Sequence, residues 1–126
     1  MDRVVTFIEL FETLSEPIPP EMIRPRRQGG SELSYLEWHT ACDLMDERCP
    51  GWQSEIREVK EVGDWVVVIC RVSIPVLEGW IYREATGCER LDRTDPFSAA
   101  EAMALTRCCA KFGLGRELHS KALAMA

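Results

Sequence analysis

Residues 63–76 read Gly63-Asp64-Trp65-Val66-Val67-Val68-Ile69-Cys70-Arg71-Val72-Ser73-Ile74-Pro75-Val76, and the reading of this stretch decides the fold. In an extended strand Val66, Val68, Cys70, Val72 and Ile74 fall on one face, while Val67, Ile69, Arg71 and Ser73 fall on the other. The first face is core; the second is mixed. Two further strand candidates flank it, at residues 52–62 and 80–89, set off by Gly63-Asp64 and by residues 75–79. Turns this short join antiparallel neighbours, because parallel ones need a crossover of about a dozen residues or more. The spacing therefore predicts a three-stranded antiparallel β-meander.

Beyond the strands, a polar loop over residues 90–95 leads into a last helix. Asp95 with Pro96 at the first helical position is one start, and the capping box Ser98-x-x-Glu101 is another; both stay open. Either start gives a buried stripe of Ala102, Leu105, Cys109 and Phe112, with Cys108 part-exposed, Gly113 as the stop, and Arg107 and Lys111 on the outward face. Before the strands, Tyr35, Trp38, Cys42, Met45 and Cys49 form an apolar stripe opposite Glu37, Thr40, Asp43 and Glu47. This predicts a helix from Ser34 that Pro50-Gly51 stops. Residues 16–30 hold Pro17, Pro19, Pro20 and Pro25 and then Gly29-Gly30, a composition that excludes regular helix and central strand and reads as a connector. Val4, Phe7, Phe11 and Leu14 place an amphipathic helix over residues 2–15. The fold class is α+β, a three-stranded antiparallel meander packed against helices (a β-β-β-α core) behind N-terminal helices. Residues 1–126 make one domain: an N-terminal helix over 1–15, a Pro/Arg/Gly connector over 16–33 and a core over 34–121.

A chain of 126 residues, 46% of them hydrophobic, buries a core but has no room for a second domain. Its longest apolar run, residues 65–70, is far short of the roughly 20 residues that cross a bilayer, and no signal-peptide pattern opens it, so no membrane partner and a cytoplasmic location are expected. The net charge of -6 means that any contact with a polyanion must use a local patch. Residues 1–21 carry five acids against one base, which leaves only -2 for the other 105 residues. The six cysteines contain no CxxC pair. His39, Cys42 and Cys49 have a zinc-like spacing, but Cys42 and Cys49 lie on the apolar stripe, where free cysteine packs as a small hydrophobe, so no metal site and no cofactor are expected. Trp52, Trp65 and Trp80 start strands and Trp38 sits on the helix stripe, which favours core or subunit-interface packing over base stacking.

Two cationic clusters stand out: Arg24, Arg26 and Arg27 before Gln28-Gly29-Gly30, and Arg107, Lys111 and Arg116 at the last helix. They lie within a longer pattern. The run Glu21-Met22-Ile23-Arg24-Pro25-Arg26-Arg27-Gln28-Gly29-Gly30, then Ser34-Tyr35-Leu36-Glu37 and Gly51-Trp52-Gln53-Ser54-Glu55-Ile56, resembles the start of the Rad-fifty-two family of single-strand annealing proteins. Ala99-Ala100-Glu101-Ala102, Leu105-Thr106-Arg107 and Lys111-Phe112-Gly113-Leu114-Gly115-Arg116 resemble its closing helix and Phe-Gly signature. The resemblance covers residues 10–120. Cys49-Pro50-Gly51-Trp52 and the Phe-Gly segment are most similar to the bacterial and phage branch that includes the DNA damage response protein DdrA.

The resemblance implies subunits assembled into rings or arcs, with single-stranded DNA in a basic groove around the oligomer. It implies annealing of complementary strands without ATP, in DNA repair or recombination, and not an enzyme; the absence of a GxxxxGK[ST] phosphate loop fits. Recombination or replication proteins are further partners, in the nucleoid or under phage control in a bacterial cell. By the resemblance Arg26 matches the connector arginine that contacts phosphate, and Arg107 a basic residue of the final helix facing the same groove. The family's other basic positions on that helix are Thr106 and Ala110 here, so Arg24, Arg27, Lys111 and Arg116 are the compensating contacts. Trp38 stands where eukaryotic members have glycine, a packing change. Two alternatives stay open: a thiol-dependent or ligand-binding domain using Cys108, Cys109, His39 or His119, and an oligomeric scaffold without DNA binding.

Overall fold

The structure, a computed structural model, describes residues 4–28 and 31–118. The meander forms as the alternation requires: β3 (Gln53–Val62), β4 (Trp65–Val76) and β5 (Gly79–Arg90) make an antiparallel sheet in the order β3-β4-β5. Two-residue turns close it, because Val62 faces Trp65 and Val76 faces Gly79. The register slips between Ile56 and Glu58, where Arg57 is the extra residue of a β-bulge. Along β4 the even-numbered residues from Val66 to Val76 are all buried and the intervening ones half-buried, the one-core, one-mixed pattern of the sequence.

The helix α3 (Pro96–Lys111) lies across β4 and β5. Asp95-Pro96 is the start it uses: Pro96 opens the helix, Asp95 has a left-handed backbone (φ 59°) with no side-chain cap bond, and Ser98 and Glu101 lie inside the helix. The buried residues are Ala100, Ala104, Leu105, Cys108, Cys109, Ala110 and Phe112, so two expectations are corrected: Ala102 is half-buried and Cys108 is fully buried. The cause is Gly87. A Cβ there would sit 2.0 Å from the Ala100 carbonyl oxygen and 2.6 Å from the Ala104 amide nitrogen, so helix backbone rests directly on strand backbone. That contact rolls the row of residues 100, 104 and 108 onto the sheet. After the helix Gly113 takes φ 119°, and a Cβ there would lie 2.5 Å from the Ser15 hydroxyl, so glycine meets both constraints.

Two more helices complete the core on the α3 side. α1 (Phe7–Leu14) begins at a capping box, with the Thr6 hydroxyl accepting from the Glu9 amide and the Glu9 carboxylate from the Thr6 amide. The box explains why the helix starts later than the stripe from Val4 predicts. α2 (Trp38–Arg48) buries Ala41, Leu44 and Met45, with Cys49 just beyond, and Arg48 donates to the carbonyls of Glu16 (2.9 Å) and Pro17 (3.3 Å), closing off the end of α1.

The connector is the largest departure from the sequence reading. Pro20–Met22 form a 3₁₀ turn, and Arg24–Gln28 (β1) pairs antiparallel with Ser31–Tyr35 (β2), Arg24 opposite Tyr35 and Arg26 opposite Leu33. Pro25 fits because both strands of a two-stranded ribbon are edges, where a missing N–H is tolerated. Tyr35 consequently ends a strand, and α2 starts at Trp38, which is exposed. Trp65 and Trp80 are exposed as well, and only Trp52 of the four packs against the core.

Replacing Gly87 by Ala is expected to cost about 1–3 kcal/mol in urea-induced unfolding, the range of overpacking a well-packed core. Where space allows, the same substitution stabilises by about 0.4–1 kcal/mol. A loss near zero would show that α3 is not seated on the strand.

Candidate nucleic-acid interface

The cationic positions sort by what the fold does with them. On α3, Arg107 and Lys111 are four residues apart, a rise of about 6 Å along a helix. On β5, Thr86 and Glu84 are two residues apart, about 6.7 Å along a strand. The two spacings match closely enough for a double contact: Arg107 Nη1 donates to the Thr86 carbonyl at 3.0 Å and Lys111 Nζ to the Glu84 carbonyl. β5 is the last strand of its sheet, and alternate residues of an edge strand turn their backbone groups away from the sheet. Both cations remain exposed, with no carboxylate in ion-pair range among the described residues. Guanidinium and ammonium carry five and three donors, so each has donors left over.

Arg116 behaves differently. Its Nε donates to the Ala110 carbonyl at 2.9 Å and its Nη2 to the Lys111 carbonyl at 2.6 Å, which satisfies free carbonyls at the C-terminus of α3 and places a cation at the negative end of the helix. Thr106 donates its hydroxyl back to the Ala102 carbonyl at 3.1 Å.

The second cluster lies on the β1-β2 ribbon, a sheet of its own. Arg24 pairs with Glu37 at 3.0 Å, and Glu37 also meets His39. Arg26 and Arg27 stand in β1 opposite Leu33 and Glu32; their side chains lie outside the described residues. The fold thus gathers Arg107, Lys111 and Arg116 at one end of α3, and Arg24, Arg26 and Arg27 along one strand. Periodicity missed Arg71, on the uncovered face of the sheet, whose guanidinium stacks 4.0 Å from the Tyr82 ring and bonds Glu84 at 2.8 Å. The cross-strand pairing that brings it there is a long-range fact, although its place on the mixed face was visible.

The thiols form no site of this kind. Cys49, Cys70, Cys108 and Cys109 are buried and Cys42 is half-buried. Burial, then Asp46, pushes the Cys49 thiol up to about 12, and burial drives Cys109 up as well. The neighbouring Cys108 thiol, then burial, raises Cys70, and the Cys108 thiol donates to the Cys70 carbonyl at 3.0 Å inside the core. His39 is occupied with Glu37 on the surface, and His119 lies outside the described residues. Among the described residues no three His, Cys, Asp or Glu side chains converge as metal ligands, and His39 does not join Cys42 and Cys49. Nor is any described helix long and apolar enough to cross a membrane.

Comparison with known proteins agrees with the order of the motifs. Residues 7–125 match the model of the Rad52/22 family of double-strand break repair proteins. The DNA repair RAD52-like protein 1, mitochondrial, of Arabidopsis thaliana is 36% identical over 116 residues, covering 88% of this chain and 66% of that protein. The DNA repair RAD52-like protein 2, chloroplastic, of the same plant is 32% identical over 120 residues, covering 89% and 60%. The chain thus spans less than two thirds of the length of either relative.

The buried thiol supplies a pH prediction. In the unfolded chain Cys49 ionises near 9, whereas in the folded chain it keeps its proton up to about 12. This contribution is intact below pH 9 and is lost as pH rises from 9 towards 12, by at most about 1.4 kcal/mol per pH unit per thiol. Unfolding free energies measured across that range are expected to fall less steeply in Cys49→Ala, and an unchanged slope would contradict the burial of this thiol.

Proposed function

The chain belongs to the Rad52/22 family of double-strand break repair proteins, and from that premise we propose that it binds single-stranded DNA by its phosphate backbone and anneals complementary strands without ATP. The observation that carries the reading is the row of Arg107 and Lys111: two exposed cations without carboxylate partners among the described residues, on a chain of net charge -6. Annealing needs no bond chemistry. It needs two polyanions to meet, and cations that hold the phosphates of one strand lower their repulsion and release counterions. Contacts confined to the backbone leave base edges free to sample a complementary strand.

In this reading Arg26 and Arg107 hold phosphate, Arg24, Arg27 and Lys111 add to the groove, and Arg116 contributes through its remaining donors while it closes the helix. The handful of contacts one subunit offers binds weakly at physiological salt, so repetition around a ring or arc of copies supplies the affinity through effective concentration. The bacterial and phage branch, with a place in the cytoplasm at the nucleoid and with recombination or replication proteins as further partners, completes the proposal; the Cys49-Pro50-Gly51-Trp52 segment supports the branch.

The test is the annealing of two complementary labelled oligonucleotides, followed by energy transfer without ATP or metal. The native chain is expected to accelerate it, and Arg26→Glu to lose most of that acceleration. Removing one phosphate contact, as in Arg107→Ala, is expected to reduce the slope of log affinity against log salt by about 0.7 for a single strand. A native chain that neither binds nor anneals at low salt would overturn the proposal in favour of a scaffold.

A further inference from the structure

We infer that Arg107 and Lys111 seal the free edge of β5 in the lone subunit, and that the β3 edge of a second copy displaces them when it pairs there, so that assembly frees these two cations. Their use on phosphate once freed rests on the function proposed above; the sealing and displacement do not.

The argument begins with the edge itself. Unpaired carbonyls on a terminal strand recruit other strands, and long cationic side chains are one way of blunting them. Here two cations from the covering helix occupy consecutive outward carbonyls, Thr86 and Glu84. A strand that paired with this edge would bring its own N–H donors and backbone into the space that the two side chains cross to reach these oxygens, so the two sets of donors compete for one approach.

β3 is the occupant that the surface fits. It is the opposite edge of the same sheet and is exposed at all ten positions. Ile56 and Val59 stand opposite Cys70 and Val68, on the α3 side of the sheet, yet α3 lies over β4 and β5 and leaves them 49% and 45% exposed. Set beside β5 of another copy, these two residues would come under the flank of that copy's α3. This flank carries Met103, Arg107 and Lys111 at intervals of four, and Met103 is an exposed apolar residue that can meet them. The charges agree as well, since Glu55, Glu58 and Glu61 against Arg57 and Lys60 leave β3 net acidic beside a cationic edge. Joined β5 to β3, the contact is head-to-tail and repeats until it closes a ring or runs on as a helix.

The experiment is the protein concentration at half-assembly, by analytical ultracentrifugation at about 0.3 M salt, where exposed charge pairs are screened. With the seal removed in the double variant Arg107→Ala, Lys111→Ala, the half-assembly concentration is expected to fall on the order of tenfold. An unchanged or higher concentration, or a native chain and variant that both stay monomeric, would overturn the inference. Should the variant not fold, the native chain decides: acylation of Lys111 by a hydroxysuccinimide ester, read by mass spectrometry, is expected to be faster above the half-assembly concentration than below it. A rate that stays level or falls would overturn displacement. A native chain that assembles as expected but binds no DNA would refute the proposed function and leave the sealed edge standing.

Discussion

The contact of α3 with β5 at Gly87 sets the position of nearly every residue with a functional claim on it. A strand residue without a Cβ lets the backbone of Ala100 and Ala104 come down onto it, closer than side-chain packing permits. At that height the helix runs along the last strand, and the side chains on its flank reach past the strand to the sheet's edge. From there Arg107 and Lys111 meet the Thr86 and Glu84 carbonyls together. The small residues on both sides of the contact, Ala85 among them, thus serve the surface as much as the core.

The same contact explains the cysteines. Cys108 and Cys109 come from the helix, Cys70 from the strand below it and Cys49 from the end of α2, and all four are buried. They fill space that a close helix leaves for side chains of modest volume, and burial keeps Cys49 and Cys109 protonated through the physiological range.

How much of this was legible in the sequence depends on the range of the forces involved. The meander was, because alternation in residues 65–74 and two short turns are local facts that the register then obeys. The β1-β2 ribbon was not: four prolines argued against a central strand and left a connector, and only pairing with Ser31–Tyr35 makes an edge on which Pro25 is harmless. Tyr35 and Trp38 were drawn into a helix stripe because their spacing mimics one, although a strand end and an exposed first turn serve the same letters. On α3 the spacing of Arg107 and Lys111 was plain, but what they hold was not, since backbone oxygens are present in every sequence and no letter marks which of them a sheet leaves unpaired.

The bulge at Arg57 has a consequence for geometry beyond one subunit. An extra residue bends its strand and increases the local twist, and β3 carries this bend near its middle on an open edge. A straight ribbon of joined sheets would have no preferred size, whereas units that each turn the path through the same small angle, without rise, return to their starting point after a fixed number of steps. In any assembly built through that edge, circumference would be written in one bulged residue.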